Sequence, residues 1–274
     1  MEPAVGASDK ENTVSDNAER GAAARVHSAV EQLPKPWRAT GWLMVFALLH
    51  FVGVFLYIAG YGGYLGAKLG AAGQVVDPAA IQAEVAAHIT TPTAMAGMYL
   101  VQFVFILPVL LLVARFRTQP ALDTLAVKAF PRKQLLPWIG VLLAFIALEV
   151  AAVQWFDIEP GQFMETLAGS KHLLLALIIV FAAPLLEELV FRGYLFRAWR
   201  HSRLGFSGTL LLTSILFALL HAGQYHWIQL SFIFVLALIL GVAREKSGSV
   251  LLPMLLHLLN NLTSAVVVIY FGIL

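Results

Sequence analysis

Seven apolar stretches follow one another from residue 42 to the end of the chain, at roughly 42–64, 95–114, 135–153, 172–190, 208–222, 227–243 and 249–272. The hydrocarbon core of a bilayer is about 30 Å thick, and about 20 apolar helical residues cross it. The pattern therefore specifies an all-α, polytopic membrane helix bundle with about seven transmembrane helices. The fifth and sixth stretches are short, so one of them is expected to be tilted or partly re-entrant. Charged residues make up 12% of the chain and mean hydropathy is +0.80, against about 25% charged residues in soluble domains. The net charge of +2 is too small for nucleic-acid binding. The absence of cysteine rules out disulfides, thiolate metal sites and a cysteine nucleophile.

The first 40 residues are different. They hold six acidic and five basic residues and lack the basic-then-apolar order of a cleavable signal peptide. Residues 1–40 read as a polar, largely disordered cytoplasmic tail, with a short interfacial helix near 24–33. If the seven spans alternate from that side, 15 of the 18 lysines and arginines fall in cytoplasmic segments. Only Lys68 and Lys171 fall outside, with Arg192 near a span. This asymmetry sets the orientation by the positive-inside rule, N-terminus in the cytoplasm. The expected setting is a bacterial inner membrane. In the outer loop 65–92, Asp77-Pro78 reads as an N-cap followed by proline at the first helical position.

The fourth stretch runs into Glu187, Glu188 and Arg192. A charge deep in a span costs at least about 2.5–3.5 kcal/mol on insertion scales. Glu188 and Arg192 are four residues apart on one helical face and can pair. Glu187 points about 100° away, with no partner in its own helix. Burial disfavours the charged form of a carboxylate, which suits such a group to general-base work. Pro184 sits just before, where it removes a backbone hydrogen bond and opens polar backbone beside the acids.

Three further polar residues fall at similar depth. His221 ends the fifth stretch; His257 and Asn261 share a face of the seventh; Asn260 points about 100° away from them. At ~1.5 Å per residue, Glu187, His257 and His221 lie roughly 15, 13 and 21 Å from the nearest polar ends of their stretches. One buried pocket built from the fourth, fifth and seventh helices is therefore expected. Its chemistry would be hydrolytic: Glu187 takes a proton from water, the water attacks a peptide carbonyl, and His221, His257 and Asn261 orient the water or stabilise the oxyanion. A second version places zinc between His221, His257 and the glutamate, although the H-E-x-x-H spacing is absent.

The three segments EELVFRG, FALLH and HLLNN resemble the motifs of the CAAX-protease and bacteriocin-processing family of intramembrane proteases. That pattern is Glu-Glu-x-x-x-Arg, Phe-x-x-x-His and His-x-x-x-Asn, here Glu187, Glu188 and Arg192; Phe217 and His221; His257 and Asn261. The resemblance covers roughly 172–265. It implies an all-helical membrane endopeptidase, a metalloprotease by family name, in which Glu187 is the base, His221, His257 and Asn261 complete the site, and Glu188 and Arg192 support it. It divides the chain into N-terminal transmembrane helices and outer loops (41–171) and a catalytic helix bundle (172–274). Its partners would be the lipid bilayer and a peptide or membrane-protein substrate.

FALLH also occurs at residues 46–50. That copy has no matching charged partner in its own or the next span, so His221 is the site histidine and His50 a packing residue. Arg197, Arg200, His201 and Arg203, with Trp199, read as interfacial anchors, with binding of an acidic peptide or of lipid head groups as the alternative. Two other functions compete with proteolysis. One is a proton- or ion-coupled carrier, relaying protons through Glu187, His221 and His257; the other is a catalytically silent immunity or scaffold protein of the membrane.

Overall fold

The computed structural model describes residues 35–115 and 120–273. Most of the polar tail, with its expected helix at 24–33, lies outside the described residues. The described chain is helical, without strands: α1 (Pro36–Ala71), α2 (Pro78–Ile89), α3 (Pro92–Arg115), α4 (Ala121–Thr124), α5 (Leu135–Trp155), α6 (Gln162–Leu167), α7 (Leu173–Arg200), α8 (Gly205–Leu220), α9 (Trp227–Ser247) and α10 (Leu251–Tyr270). Six of these are long and apolar enough to cross a membrane. The chain is an integral, multi-pass membrane protein.

Local chemistry sets several boundaries. α1, α2 and α3 each begin with a proline, whose missing N–H is an orphan at that position in any helix. Asp77 caps α2 as expected, its Oδ1 accepting from the Ala79 N–H at 3.0 Å. α9 stops at Gly248, which adopts φ +67°, a left-handed conformation that costs glycine little.

Two boundaries differ from the sequence expectation, each for a physical reason. The fourth stretch ends near residue 190 by hydropathy, yet α7 continues to Arg200. Glu188 and Arg192 are paired inside the bundle, so these charges do not end the helix. The sixth stretch looked short, but α9 has 21 residues and is long enough to cross; of the seven stretches only α8, with 16, falls short. At ~1.5 Å per residue α8 spans about 24 Å, less than the hydrocarbon thickness.

α7 and α10 form the inside of the bundle. In their span windows 39% of residues are buried, against 11% in α1 and α5, which expose leucine and phenylalanine to lipid. Lipid is as apolar as leucine, so helices associate through close contact rather than through the hydrophobic effect. Gly97 shows this: a Cβ there would lie 2.3 Å from the Tyr57 ring, so α1 and α3 meet at that distance only with glycine. Gly241 does the same for α9 against Leu210 of α8.

One packed core surrounds the second half of α7, where Phe191, Tyr194 and Leu195 meet Phe46, Leu110 and Phe217. Another joins Leu167 and Leu175 to Ala265, Val268 and Ile269. The backbone there is tied as well: Gly169 and Lys171 donate to the Val268 and Ile269 carbonyls. The bundle thus has two distinct ends. One carries α4, the α7–α8 turn and the α9–α10 turn. The other carries α6 and the α8–α9 loop.

Candidate active site

α7 is wound unusually around the two acids. Wide π-type turns occupy Ile178–Ala182 and Leu189–Leu195, with Glu187 and Glu188 in the regular turn between them. Such turns are rare and occur often at functional sites. Pro184 has no N–H to return to the first wide turn. Asn261 Nδ2 instead donates to the Ile179 carbonyl at 2.9 Å, five residues before the proline, where a π-type bond would end. A neighbouring side chain thereby satisfies backbone that a proline has freed.

The two glutamates separate as their spacing predicts. Glu188 is fully buried. Its Oε1 accepts from Arg192 Nη1 at 3.0 Å and from His257 Nδ1 at 3.0 Å. Arg192, also fully buried, donates through Nη2 to the Ala237 carbonyl at 3.1 Å, and its guanidinium sits 4.5 Å from the Phe217 ring centroid. This is a desolvated pair in which Glu188 Oε1 and both Arg192 Nη atoms have partners and the Phe217 ring covers the guanidinium, while Glu188 Oε2 and Arg192 Nε have no hydrogen-bond partner among the described residues; removing either member would leave an uncompensated buried charge. The Glu187 side chain is 25% exposed and has no such tie; its Oε2 lies 3.8 Å from His257 Nε2.

Both histidines are oriented through Nδ1. His257 donates Nδ1–H to Glu188, an acceptor-only carboxylate. His221 donates Nδ1–H to the Phe217 carbonyl at 2.9 Å. That carbonyl is one of the last four of α8, which have no partner within the helix. This gives Phe-x-x-x-His a structural meaning: the helix end holds the ring, and the Phe217 side chain holds Arg192. In the neutral state each imidazole keeps its lone pair on Nε2.

Glu187, His221, His257 and Asn261 line one cavity of about 180 Å³. Glu188 and Arg192 stand behind it and position His257. Asn260 lines it too, although helical geometry set it aside. Several polar residues of the cavity escaped the sequence reading, among them Tyr99 of α3, Glu149 of α5 and Tyr225 of the α8–α9 loop. Glu149 carried the same signal as Glu187, a carboxylate inside an apolar run. Tyr99 and Tyr225 gave none.

His50 lies elsewhere. Its ring packs against Phe51 at 5.4 Å and its side chain meets Gln102 of α3. Both FALLH phenylalanines pack on α7, Phe46 edge-on to Tyr194 and Phe217 edge-on to Phe191. Only the second copy ends its helix at the acids.

The zinc version finds no support in the geometry. Among the described residues no three histidine, aspartate or glutamate side chains converge closely enough to hold an ion. The donor types suit zinc, but Glu187, His221 and His257 do not close on one point.

These features define an all-helical membrane protein with a carboxylate–imidazole cavity inside its bundle. Residues 169–263 match the family described as type II CAAX prenyl endopeptidase Rce1-like. The resemblance carried by the three motifs is thereby borne out. A curated relative, an uncharacterized 24.3 kDa protein of Escherichia coli, is 38% identical over 127 residues. The match covers 44% of this chain and 54% of the relative, so the chain spans about half the length of that curated relative. No solved structure matches the chain.

Proposed function

We propose that the chain is an intramembrane endopeptidase of the CAAX-protease type, and that Glu187 activates the hydrolytic water. The observation that carries this is the contrast between the two adjacent acids. Glu188 is consumed by Arg192 and His257, whereas Glu187 faces the cavity beside a bare imidazole nitrogen.

The reaction balances with protein groups alone. Water, placed between Glu187 Oε2 and His257 Nε2, gives a proton to Glu187 as its oxygen bonds to the peptide carbonyl carbon. The carbonyl π electrons move to oxygen. Donors for that oxyanion come from the amide of Asn261 and the phenols of Tyr99 and Tyr225, all in the cavity wall. The C–N bond then breaks, Glu187 returns its proton to the leaving nitrogen, and a carboxyl and an amine remain.

The cavity occupies the half of the bundle that carries α6 and the α8–α9 loop, since Phe163, Met164, Gln224 and Tyr225 line it. A layer of buried side chains, Phe191, Arg192, Leu195 and Leu240, closes the other direction. With the N-terminus cytoplasmic, the substrate therefore enters from the membrane face opposite the basic loops. A peptide or membrane protein exposed on that outer face is the expected substrate.

The test uses the purified full chain in liposomes with a pool of single-span peptides, read by mass spectrometry. Wild type yields new peptide termini, and Glu187→Gln yields none. Proton uptake by wild type without any cleavage would replace the protease with the carrier.

A further inference from the structure

A second cavity, of about 430 Å³, lies at the opposite end of the bundle. Lys128, Arg197, Arg200 and Arg244 line it, facing two carboxylates among the described residues, Asp123 and Glu245. Arg200 and Glu245 consume each other through a two-pronged contact, with Nη2 at 2.7 Å and Nε at 2.9 Å from Oε1. Arg244 is 7% exposed, and no carboxylate among the described residues forms an ion pair with it. Its Nε donates to the Arg192 carbonyl at 2.9 Å. A buried guanidinium without a carboxylate, in a wall with an excess of positive charge, is arranged for an anion.

We propose that this cavity binds a phosphate group, carried by an anionic lipid headgroup or by a free phosphate. Three elements converge on it: the chain after α4 through Lys128, the end of α7 through Arg197, and the end of α9 through Arg244. Guanidinium forks with an added ammonium suit a group with several oxygens. His201 reports the local field, since burial and the neighbouring Arg200 and Arg197 guanidiniums push its imidazole below the usual value. The place favours a headgroup, because Trp37, 68% exposed, and the indole of Trp199, bonded to the Pro36 carbonyl, mark an interface at this end. Through Arg244 the cavity touches the backbone of Arg192, which pairs with Glu188. The phosphate site thus abuts the residues that position His257.

The experiment follows the unfolding midpoint of the full chain in neutral detergent during titration with inorganic phosphate. A parallel series uses nanodiscs of phosphatidylcholine with and without phosphatidylglycerol. Bound anion raises the midpoint of wild type. Lys128→Gln and Arg197→Gln each weaken apparent affinity about tenfold, the worth of one charge-assisted contact. Arg203→Gln, a basic residue outside the cavity, leaves it unchanged. Stabilisation by phosphatidylglycerol without added phosphate identifies the lipid as the source; stabilisation by phosphate alone identifies the free ion. No stabilisation by either, or equal stabilisation of wild type, Lys128→Gln and Arg197→Gln, overturns the proposal.

Discussion

The bundle holds two cavities on either side of one buried layer, and they use charge in opposite ways. In the first, the pairing falls on one of two adjacent acids: Glu188 takes Arg192 and His257, and Glu187 faces the cavity. In the second, the acids are too few for the guanidiniums, and Arg244 is left buried without a carboxylate. The lesson concerns cost. A charge inside a membrane protein is tolerated when its partners are arranged around it. Where the partners are incomplete, the structure marks a place for something that comes from outside.

The largest expected effect breaks the first half of this comparison. Glu187→Gln should remove a general base and lower the cleavage rate by about 10²–10⁴-fold, with an unchanged unfolding midpoint, because no buried ion pair depends on that side chain. Glu188→Ala should act on stability as well, since Glu188 holds both Arg192 and His257. It strands Arg192 as an unpaired buried charge, and stability falls by about 3–5 kcal/mol, seen as a lower unfolding midpoint in detergent. If both variants lose activity and stability alike, the division of labour between the acids is wrong.

Asn261→Ala sharpens the comparison next. It leaves the Ile179 carbonyl without its donor, at a cost of about 1–3 kcal/mol. It also loosens the wide turn that carries the acids, so activity and midpoint fall together. Glu149→Gln should reduce cleavage less than Glu187→Gln, since Glu149 lines the cavity from α5 without the imidazole contact. His50→Ala should be the smallest change, within about 0.5 kcal/mol in stability and with cleavage retained. A large loss there would mean that the first FALLH copy takes part in the site.

What the sequence disclosed and what it concealed divide along physical lines. Charges within apolar runs are conspicuous because lipid makes them expensive. Glu187, Glu188, Arg192, His221 and His257 were therefore legible, and four-residue spacing was enough to pair Glu188 with Arg192. The amide of Asn261 was legible as a polar group, but its bond to Ile179 was not. That bond depends on a π-type turn and a missing proline N–H, which hydropathy does not encode. The full length of α7 was hidden for a related reason: charges read as the end of a span were paired inside it. The phosphate cavity was legible only as a basic cluster that could bind lipid head groups or an acidic peptide. Its arginines look like interfacial anchors along the chain, and only the fold gathers Lys128, Arg197 and Arg244 around one space.

The most direct test of the central claim compares peptide termini in membrane fractions of cells carrying wild type or Glu187→Gln, by mass spectrometry. The account predicts termini from proteins or peptides exposed on the outer face that appear with wild type and vanish with the variant. Identical sets of termini in the two membranes would contradict it.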